Sequence, residues 1–590
     1  MVMPLGRGHK IGEKIMADRL DVLIVGAGFS GMYMLLKCRE QGLKTRVIEA
    51  GSGVGGTWYW NRYPGARVDI QSLEYSFGFD EKLEKEWRWS ERYAPQPELL
   101  AYANHVAERF DLKPDISFNT RVAAAHWDAK ADGWNVTLDS GEAIPARFVV
   151  MATGCLSVPT DVTFPGIDDY KGTIYRTSRW PHEGVDFSGQ RVGIIGTGSS
   201  AIQSIPIIAE TAAHLTVFQR TPNYSMPAHN GPIPDDDFQE WLKDPRAYRA
   251  RSRATVGGFW NEAREDAIAI HTPPEEITAE LERRWGWGGF RILSGFADQG
   301  IDAEANKIIA NFVAAKIREQ VKDPKVAELL TPKDHPFGTK RPCVDTGYYA
   351  TYNRDNVSLI DLRADPLQHF TATGIKTKHN SFDFDAVVLA TGFDAMTGAV
   401  ERIDIRGMGG ETIKEHWAAG PETYLGLMVA GFPNLFLITG PGSPSVLTNM
   451  IHSIEQHVEY VASIIGSLNA SQAGRIEASR EAEQAWTDHC DQTAAMTLLP
   501  QANSWYMGAN VPGKPRRFMA YAGGLHTYTD ICNTVRDKGW QGFVIGRGNQ
   551  VLSESRLFDS LPPPPENMAP HLMEMAMSRV MNWMQEHGRV

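Results

Sequence analysis

Two glycine-rich turns constrain the fold of this chain more than any other feature of its sequence. Residues 21–25 (Asp-Val-Leu-Ile-Val) lead into Gly26-Ala-Gly28-Phe-Ser-Gly31, and residues 191–195 (Arg-Val-Gly-Ile-Ile) lead into Gly196-Thr-Gly198-Ser-Ser-Ala201. A helix-like segment and a second β-branched run follow each turn. Strand, glycine turn, helix and strand in this order form the dinucleotide-binding unit. We therefore predict an α/β fold with two Rossmann-like dinucleotide-binding domains.

The residue at the end of the second strand distinguishes the two units. Glu49 stands there in the first unit, where a carboxylate accepts hydrogen bonds from ribose hydroxyls and repels a 2′-phosphate. Arg220 follows the corresponding strand of the second unit, where a guanidinium pairs with a 2′-phosphate. The first unit is therefore predicted to bind FAD or NAD, and the second is predicted to bind NADPH.

Composition narrows the class of protein. The chain has 590 residues, more than one hydrophobic core usually serves, so at least two domains are expected. A formal net charge of -12 argues against a nucleic-acid partner. The five cysteines are scattered without a CxxC pair, which disfavours a disulfide framework and a zinc site and favours a cytoplasmic location. No apolar stretch reaches about 18 residues, so stable membrane insertion is not expected.

The histidines do not show the spacing of metal ligands. His452 and His457 are five positions apart on a predicted helix, so they do not share a face as ligands at i and i+4 would. His335 and His416 have no paired spacing with acids that suggests a metal. No metal is therefore predicted, and the sequence gives no prediction of the oligomeric state.

Five further segments share a pattern with one enzyme family. They are residues 55–69, an aromatic, glycine-punctuated run; 170–181, close to FxGxxxHxxxWP; 336–341 (Pro-Phe-Gly-Thr-Lys-Arg); 440–447 (Gly-Pro-Gly-Ser-Pro-Ser-Val-Leu); and 504–514, which begins Ser-Trp-Tyr. In this order they resemble segments of the Baeyer–Villiger flavin monooxygenases (class B), and most closely those of the phenylacetone and steroid monooxygenase branch. The resemblance runs from about residue 20 to about residue 545.

The resemblance implies an activity and its catalytic residues. Such an enzyme uses FAD, NADPH and molecular oxygen to convert a small-molecule ketone into an ester or lactone through a peroxyflavin. By family position, Arg341 is the permanent cation that stabilises negatively charged oxygen. Asp69 is the expected partner that orients Arg341, because an unpaired buried guanidinium is costly. Aryl, cyclic, long-chain and steroid ketones all remain open as substrates.

Motif position and resemblance together also give the expected cofactor contacts. Thr197, Ser199, Ser200 and Gln203 are expected near the NADPH phosphates and nicotinamide, Lys340 near an NADPH phosphate, and Trp505 over the nicotinamide or substrate. The full expected set is Gly26, Gly28, Ser30, Gly31, Glu49, Gly56, Thr57, Trp58, Asp69, Tyr75, Val122, Gly196, Thr197, Gly198, Ser199, Ser200, Gln203, Arg220, Thr221, Lys340, Arg341 and Trp505.

Two positions depart from the family fingerprint. Tyr170 replaces Phe, which keeps the ring, whereas Arg176 replaces His, and an arginine cannot act as a neutral imidazole. We expect retained activity with altered coupling or cofactor handling. The alternatives are a flavin monooxygenase that oxygenates nitrogen or sulfur, and a catalytically impaired flavin-binding homologue. A disulfide reductase is disfavoured because residues 51–69 contain no cysteine.

The order of the motifs predicts a discontinuous domain arrangement. We expect an FAD-binding domain at 19–154 and 391–545, and an NADP-binding domain at 155–228 and 332–390. Residues 229–331 are charged with helical periodicity and are expected to form a helical insertion. Residues 1–18 are expected to be an N-terminal extension, and 546–590 a tail whose Met-rich stripe predicts a helix.

Overall fold

The computed structural model describes residues 19–264, 266–548 and 550–554. The predicted extension at 1–18 and the predicted helix near the carboxyl end of the tail lie outside the described residues. The strands are β1 (Leu20–Val25), β2 (Thr45–Ile48), β3 (Ile116–Ser117), β4 (Val122–Asp128), β5 (Gly133–Leu138), β6 (Ala143–Met151), β7 (Thr173–Arg176), β8 (Arg191–Ile195), β9 (His214–Gln219), β10 (Ser225–Pro227), β11 (Cys343–Asp345), β12 (Val357–Asp361), β13 (Leu367–Phe370), β14 (Gly374–Thr377), β15 (Ser381–Asp383), β16 (Ala386–Leu389), β17 (Asp404–Arg406), β18 (Leu435–Leu437), β19 (Arg475–Ala478), β20 (Phe543–Arg547) and β21 (Gln550–Glu554).

Helices cover the sheets and connect them. The α-helices span Phe29–Glu40, Thr57–Trp60, Glu81–Glu86, Gln96–Arg109, Ser199–Thr211, Asp235–Lys243, Pro245–Arg253, Pro274–Trp287, Ala303–Gln320, Pro324–Leu330, Tyr348–Thr351, Gly398–Glu401, Ile413–His416, Met450–Ala470, Arg480–Ala495 and Leu525–Asp537. Among the described residues, none of these helices combines the length and the apolar character that crossing a membrane requires.

The first large sheet is built around the first glycine turn. Its strands lie in the order β17-β4-β5-β6-β1-β2-β3, and β18 pairs with β6. β1 is parallel to both β2 and β6, so that Val25 lies opposite Ile48 and Met151. The carboxyl ends of these three strands therefore meet at one edge, which is where ligands bind in open α/β sheets. Strands from both ends of the chain share this sheet.

The second large sheet is built around the second glycine turn and is parallel throughout. Its order is β12-β9-β8-β16-β7. Gly196 follows β8, Arg220 follows β9 and Arg176 ends β7, so all three lie at the carboxyl edge of the sheet. Its strands run as nearly continuous apolar segments, such as Ala386–Leu389, because helices and loops cover both faces.

Helices occupy the region between the two parts of the second sheet, and a small sheet lies near the carboxyl end of the described residues. Residues 229–331 hold the helices Asp235–Lys243, Pro245–Arg253, Pro274–Trp287, Ala303–Gln320 and Pro324–Leu330. The boundary expected at residue 545 lies inside β20, and β21 pairs antiparallel with β20. Gly548, with a φ of 53°, provides the left-handed backbone of the hairpin turn. The first residues assigned to the tail therefore complete a three-stranded sheet.

Two ion pairs with buried carboxylates fasten the helical region to the helices Glu81–Glu86 and Met450–Ala470. Arg249, on the helix Pro245–Arg253, pairs with the carboxylate of Glu84 and donates to the carbonyl oxygen of Ser76 at 2.7 Å. One turn later, Arg253 pairs with the buried Glu455 at 2.6 Å. Because both carboxylates are removed from water, these arginines fix where the helical region packs.

We expect Glu84→Gln to lower the free energy of unfolding by about 3 kcal/mol, since Arg249 would keep a buried, uncompensated charge. The matched control is Glu81→Gln on the same helix, where the carboxylate is exposed and the change is expected to stay within about 0.5 kcal/mol. Urea unfolding followed by tryptophan fluorescence measures both. Equal midpoints for the two variants would contradict the role of this pair.

Candidate active site

The first glycine turn leaves no room for side chains at two of its three glycines. A Cβ on Gly31 would lie 1.8 Å from the carbonyl oxygen of Gly26. Gly26 has a φ of 104°, and a Cβ there would lie 2.6 Å from the carbonyl oxygen of Ala152. Gly28 instead faces the backbone of Gly56, and a Cβ on Gly28 would lie 3.4 Å from the Gly56 Cα. Two glycines on facing loops therefore form a narrow backbone-lined cradle, which suits a pyrophosphate.

Glu49 is buried beside this cradle and is held by the turn itself. Its Oε2 accepts a hydrogen bond from the backbone N–H of Ala27 at 2.7 Å, and its Oε1 accepts one from Gly51 at 2.6 Å. Each carboxylate oxygen keeps a second lone pair that can accept from a ribose hydroxyl. The predicted ribose-binding residue is therefore fixed in orientation.

The aromatic run after the first unit forms the wall next to the cradle. Thr57 and Trp58 begin the short helix Thr57–Trp60, and Trp58 is buried. The rings of Trp58 and Tyr75 meet edge to face with centroids 6.0 Å apart, and Phe29 also packs against Tyr75. Ser30 is buried on the helix that follows the turn. Val122 is half-buried at the start of β4, in the same sheet.

The second glycine turn repeats the geometry of the first. Gly196 has a φ of 120°, and a Cβ there would lie 2.4 Å from the carbonyl oxygen of Ala390. A Cβ added to Gly198 would have no other part of the described chain within 4 Å, so the space beside this glycine is open. The hydroxyl of Thr197 donates to the carbonyl oxygen of Thr221 at 2.7 Å, which ties the turn to the segment that carries Arg220. The predicted phosphate-binding and selectivity residues are thus brought together.

Three expected cofactor contacts on the second unit already have protein partners. Ser199 Oγ lies 3.2 Å from Cys343 Sγ, and Ser200 Oγ accepts from the Thr177 hydroxyl at 3.3 Å. Gln203 uses both ends of its amide: it donates to the Arg67 carbonyl oxygen at 3.1 Å and accepts from the Tyr63 hydroxyl at 3.0 Å. Gln203 therefore connects the second unit to the aromatic run of the first.

Arg341 and Asp69 meet between the two units. Arg341 Nε donates to Asp69 Oδ2 at 2.7 Å and Nη2 donates to Oδ1 at 3.0 Å, which is the two-pronged geometry that a guanidinium favours. Nη1 donates to the carbonyl oxygen of Val446 at 2.7 Å. These three bonds fix the plane of the guanidinium, and the Tyr506 hydroxyl also accepts from it, which leaves at least one N–H group for another acceptor.

Aromatic rings surround the guanidinium on its other sides. The Cζ of Arg341 lies 4.8 Å from the ring centroid of Phe290, a cation–π distance. Tyr506 faces it as well, and burial raises the pKa of this phenol to about 12, so it stays protonated at neutral pH. Burial alone would lower the pKa of Arg341, but the charge and hydrogen bonds of Asp69 outweigh it and raise that pKa above its usual value. The site therefore holds a permanent positive charge.

Lys340 and Trp505 flank this group. Burial lowers the pKa of Lys340, the charges of Arg363 and Arg220 lower it further, and Asp334 opposes this. Trp505 begins the 3-10 helix Trp505–Met507 and packs against Tyr506, with ring centroids 4.3 Å apart. Lys340 thus lies beside two arginines and Trp505 beside Tyr506, and their contacts with NADPH or substrate stay a prediction.

The two departures from the fingerprint occupy different surroundings. The Tyr170 hydroxyl donates to the carbonyl oxygen of Phe384 at 2.9 Å, so the extra oxygen is satisfied within the core. Arg176 is exposed at the end of β7, and within the described part of the chain its side chain makes no hydrogen bond or ion pair. Solvent can therefore hydrate the charged side chain of Arg176 at this position.

Folding brings His416 next to two carboxylates that its spacing in the sequence does not pair with it. His416 Nε2 lies 3.0 Å from Glu483, and Glu422 comes within ligand distance of both among the described residues. Sequence spacing missed this because folding joins positions 67 residues apart. Arg517 pairs with Glu422, and the backbone N–H of Ala430 donates to Glu483. These carboxylates already have partners, and the absence of a metal stays a prediction.

Sequence reasoning missed several residues that the fold brings to the site. Phe290 comes from the helical region and carries no motif. Tyr506 directly follows Trp505, so its position next to a predicted site residue was a usable signal. Arg363 donates to the Thr221 hydroxyl at 3.2 Å and pairs with Asp334 at 2.6 Å. Arg363 follows β12, which is the neighbour of β9, the strand that Arg220 follows. Because the carboxyl ends of neighbouring parallel strands meet at one edge, the position of Arg363 after a strand was a usable signal.

Comparisons with known proteins agree with this geometry. The family model for pyridine nucleotide-disulphide oxidoreductases matches residues 23–251. A Baeyer-Villiger monooxygenase from Pseudooceanicola batsensis is 42% identical over 548 residues, which cover 90% of this chain and 98% of that protein. An oxidized steroid monooxygenase bound to NADP has a TM-score of 0.86 and 50% identity, covering 90% of this chain and 100% of that one. OTEMO in complex with FAD and NADP has a TM-score of 0.86 and 41% identity, covering 89% and 99%.

We expect Glu49→Gln to weaken FAD binding about tenfold, because an amide offers one acceptor oxygen where the turn requires two and sets an N–H group against a backbone N–H. Titration of the FAD-free chain with FAD, followed by flavin fluorescence, measures the change. The control is Glu142→Gln, which removes an exposed partner of Arg46 and is expected to leave FAD affinity unchanged. Unchanged affinity in Glu49→Gln would show that the carboxylate does not organise the site.

Proposed function

The chain belongs to the Baeyer–Villiger monooxygenase family, and we propose that Arg341, oriented by Asp69, is the cation on which its reaction depends. The α/β fold with two Rossmann-like domains, the family resemblance and both cofactors are confirmed. The chain is an FAD- and NADPH-dependent enzyme that oxidises ketones to esters or lactones. In this reaction a ketone, oxygen, NADPH and a proton give an ester, NADP⁺ and water. The disulfide reductase alternative lacks a cysteine pair in residues 51–69.

The residues present fit both cofactors. The cradle of Gly28 and Gly56 and the buried Glu49 suit FAD, and the open turn at Gly198 with Arg220 suits NADPH. When bound, the reduced flavin activates molecular oxygen with electrons supplied by NADPH. The residue assignments at both sites are part of the proposal, and the glycines that would clash with any side chain support them.

Arg341 supplies a fixed positive charge at the meeting point of the two units. Asp69, Val446 and the Tyr506 hydroxyl leave at least one of its five N–H groups to donate to a negatively charged oxygen. Stabilisation of this kind acts most strongly where aromatic rings such as Phe290 keep water away. We assign to Arg341 the stabilisation of the oxyanion that forms when an oxygen nucleophile adds to the ketone carbonyl.

Asp69 acts through Arg341 and is a positioning residue. Its two oxygens hold the guanidinium in one plane, and its charge offsets the cost of removing the cation from water. The carboxylate comes from the aromatic run of the first unit, and Arg341 comes from the second unit. The pair therefore also sets the distance between the two cofactor sites.

The surroundings of Arg341 support an apolar ketone as the substrate. Val446 and Tyr506, which contact the guanidinium, belong to an apolar cluster that also includes Cys155, Met396 and Phe518. Leu447, Met450 and Trp505 pack against the same cluster. A charged group placed against these apolar side chains, away from Arg341, would lose its hydration without gaining a partner there.

The strands support the proposed domains. The first sheet takes its strands only from 19–154 and 391–545, and the second takes its strands only from 155–228 and 332–390. β21 lies outside these ranges, in the small sheet that it forms with β19 and β20. We assign FAD to the first and NADPH to the second, and we assign to the helical insertion, residues 229–331, the role of covering Arg341 with Phe290.

The buried, free thiols of Cys38, Cys155, Cys343, Cys490 and Cys532 support a reducing, cytoplasmic location.

We expect Arg341→Ala to lower the rate of ester formation by about 100- to 1000-fold while bound FAD is retained, because one preorganised charge donor is lost. Gas chromatography of esters formed from a panel of aryl, cyclic and long-chain ketones, with NADPH consumption recorded in parallel, measures this. The control is Arg402→Ala, which removes an exposed arginine paired with Asp161.

The same assay separates the alternatives. Ester yield near wild type from Arg341→Ala would refute the assignment of the cation. An unmodified chain that binds FAD and oxidises an amine or a sulfide but no ketone would support the nitrogen- or sulfur-oxygenating alternative. An unmodified chain that only releases hydrogen peroxide would support the catalytically impaired homologue. That alternative rests on Arg176, which replaces the His of the family fingerprint.

We expect Asp69→Asn to lower ester formation about tenfold and to raise the share of NADPH that ends as hydrogen peroxide. An amide can accept through one oxygen only, so the guanidinium loses its fixed plane and a neutralising charge. The ratio of ester to NADPH consumed is the measurement. Asp161→Asn, at an exposed carboxylate, is the matched control. Full coupling in Asp69→Asn would contradict the positioning role.

A further inference from the structure

A second arginine stands beside Arg220 at the carboxyl edge of the second sheet. β12 and β9 are neighbouring parallel strands, with Asp361 opposite Gln219. Arg220 directly follows β9, and the backbone N–H of Leu362 donates to the carbonyl oxygen of Gln219 at 2.8 Å. The turn that carries Arg363 is therefore fastened to the segment that carries Arg220.

The turn also aims the Arg363 side chain. Its backbone N–H donates to Asp361 Oδ1 at 2.9 Å. Its Nη2 then reaches the Thr221 hydroxyl at 3.2 Å and Asp334 Oδ2 at 2.6 Å. Thr221 is in turn held through its carbonyl oxygen by Thr197 of the glycine turn. Arg363 is thus connected by hydrogen bonds to the loop that would carry the adenosine end of NADPH.

The charges in this corner fit a phosphate. Arg220, Lys340 and Arg363 are close enough that the charges of the two arginines lower the pKa of Lys340. Asp334 and Asp361 are the acids of this corner, and His335 Nδ1 lies 2.7 Å from the other oxygen of Asp334. Burial lowers the pKa of His335, so it is neutral at neutral pH. Three cations against these two carboxylates leave about one positive charge, which favours binding of a phosphate monoester.

Arg363 keeps donors for such a ligand. Among the described residues, its hydrogen bonds to side chains use Nη2 only, which leaves Nε and Nη1 to donate. We propose that Arg363 is a third cation of the NADPH 2′-phosphate site, beside Arg220 and Lys340, and that Asp334 holds it in position before the phosphate arrives. Arg363 then determines the preference for NADPH over NADH together with Arg220. This inference rests on the proposed function, in which the second unit binds NADPH.

The test compares four variants of the FAD-loaded chain: Arg363→Ala, Arg363→Lys, Arg191→Ala and Arg220→Ala. Arg363→Ala is expected to weaken binding of adenosine 2′,5′-bisphosphate and to raise KM for NADPH about tenfold, with KM for NADH within twofold of wild type. Arg363→Lys is expected to recover part of the loss, since it keeps the charge without the planar fork. The control is Arg191→Ala, at the opposite edge of the same sheet, because Arg191 has a similar exposed fraction (51% against 52%) and also pairs with an aspartate.

Each outcome has one meaning. Unchanged KM for NADPH in Arg363→Ala overturns the inference, as does an equal loss for NADPH and NADH, which would indicate a structural role. Arg220→Ala distinguishes this failure from failure of the underlying assignment. If Arg220→Ala loses the preference for NADPH and Arg363→Ala keeps it, only the inference fails. If neither variant changes the preference, the placement of NADPH in the second unit fails as well.

Discussion

The ion pair of Arg341 and Asp69 is the interaction on which the arrangement of the site depends. It joins two units that each fold around their own glycine turn, and Gln203 connects the same two units through Arg67 and Tyr63. Because the Asp69 carboxylate accepts two hydrogen bonds from the guanidinium, the orientation of the Arg341 side chain between the two proposed cofactor sites is fixed. Val446 and Phe290 close around it from two further parts of the chain. A permanent charge is thereby kept in apolar surroundings without being left unpaired.

The two sheets explain how a discontinuous chain produces this meeting point. Parallel strands bring their carboxyl ends to one edge, so Glu49 and the first turn come together on one sheet, and Arg220 and the second turn on the other. Gln203 spans the gap by bonding to Arg67 and Tyr63. Arg249 and Arg253 of the helical region pair with buried carboxylates and so fix where that region packs. Each proposed cofactor site is thus local to one sheet, whereas the proposed catalytic charge belongs to their junction.

The sequence predicts the local parts of this architecture well. Glycine spacing, strand ends and the contrast between Glu49 and Arg220 are encoded within about 30 residues, where backbone geometry decides the outcome. The partnership of Arg341 and Asp69, 272 positions apart, came only from family resemblance. Phe290 has no local signal, and the two bonds of Gln203 to protein were unexpected for a residue assigned to the cofactor. His416 and Glu483 likewise meet only through the fold. Contacts between distant segments depend on packing that residue spacing does not reveal.

A double-mutant cycle on Asp69 and Arg341 tests the central claim most directly. The rate of ester formation is measured for the wild type, Asp69→Asn, Arg341→Ala and the double variant, all loaded with FAD. If Asp69 acts only through the cation, the double variant will be no slower than Arg341→Ala, with a coupling energy of about 1–2 kcal/mol. Losses that multiply independently would contradict the account, because Asp69 would then contribute without Arg341.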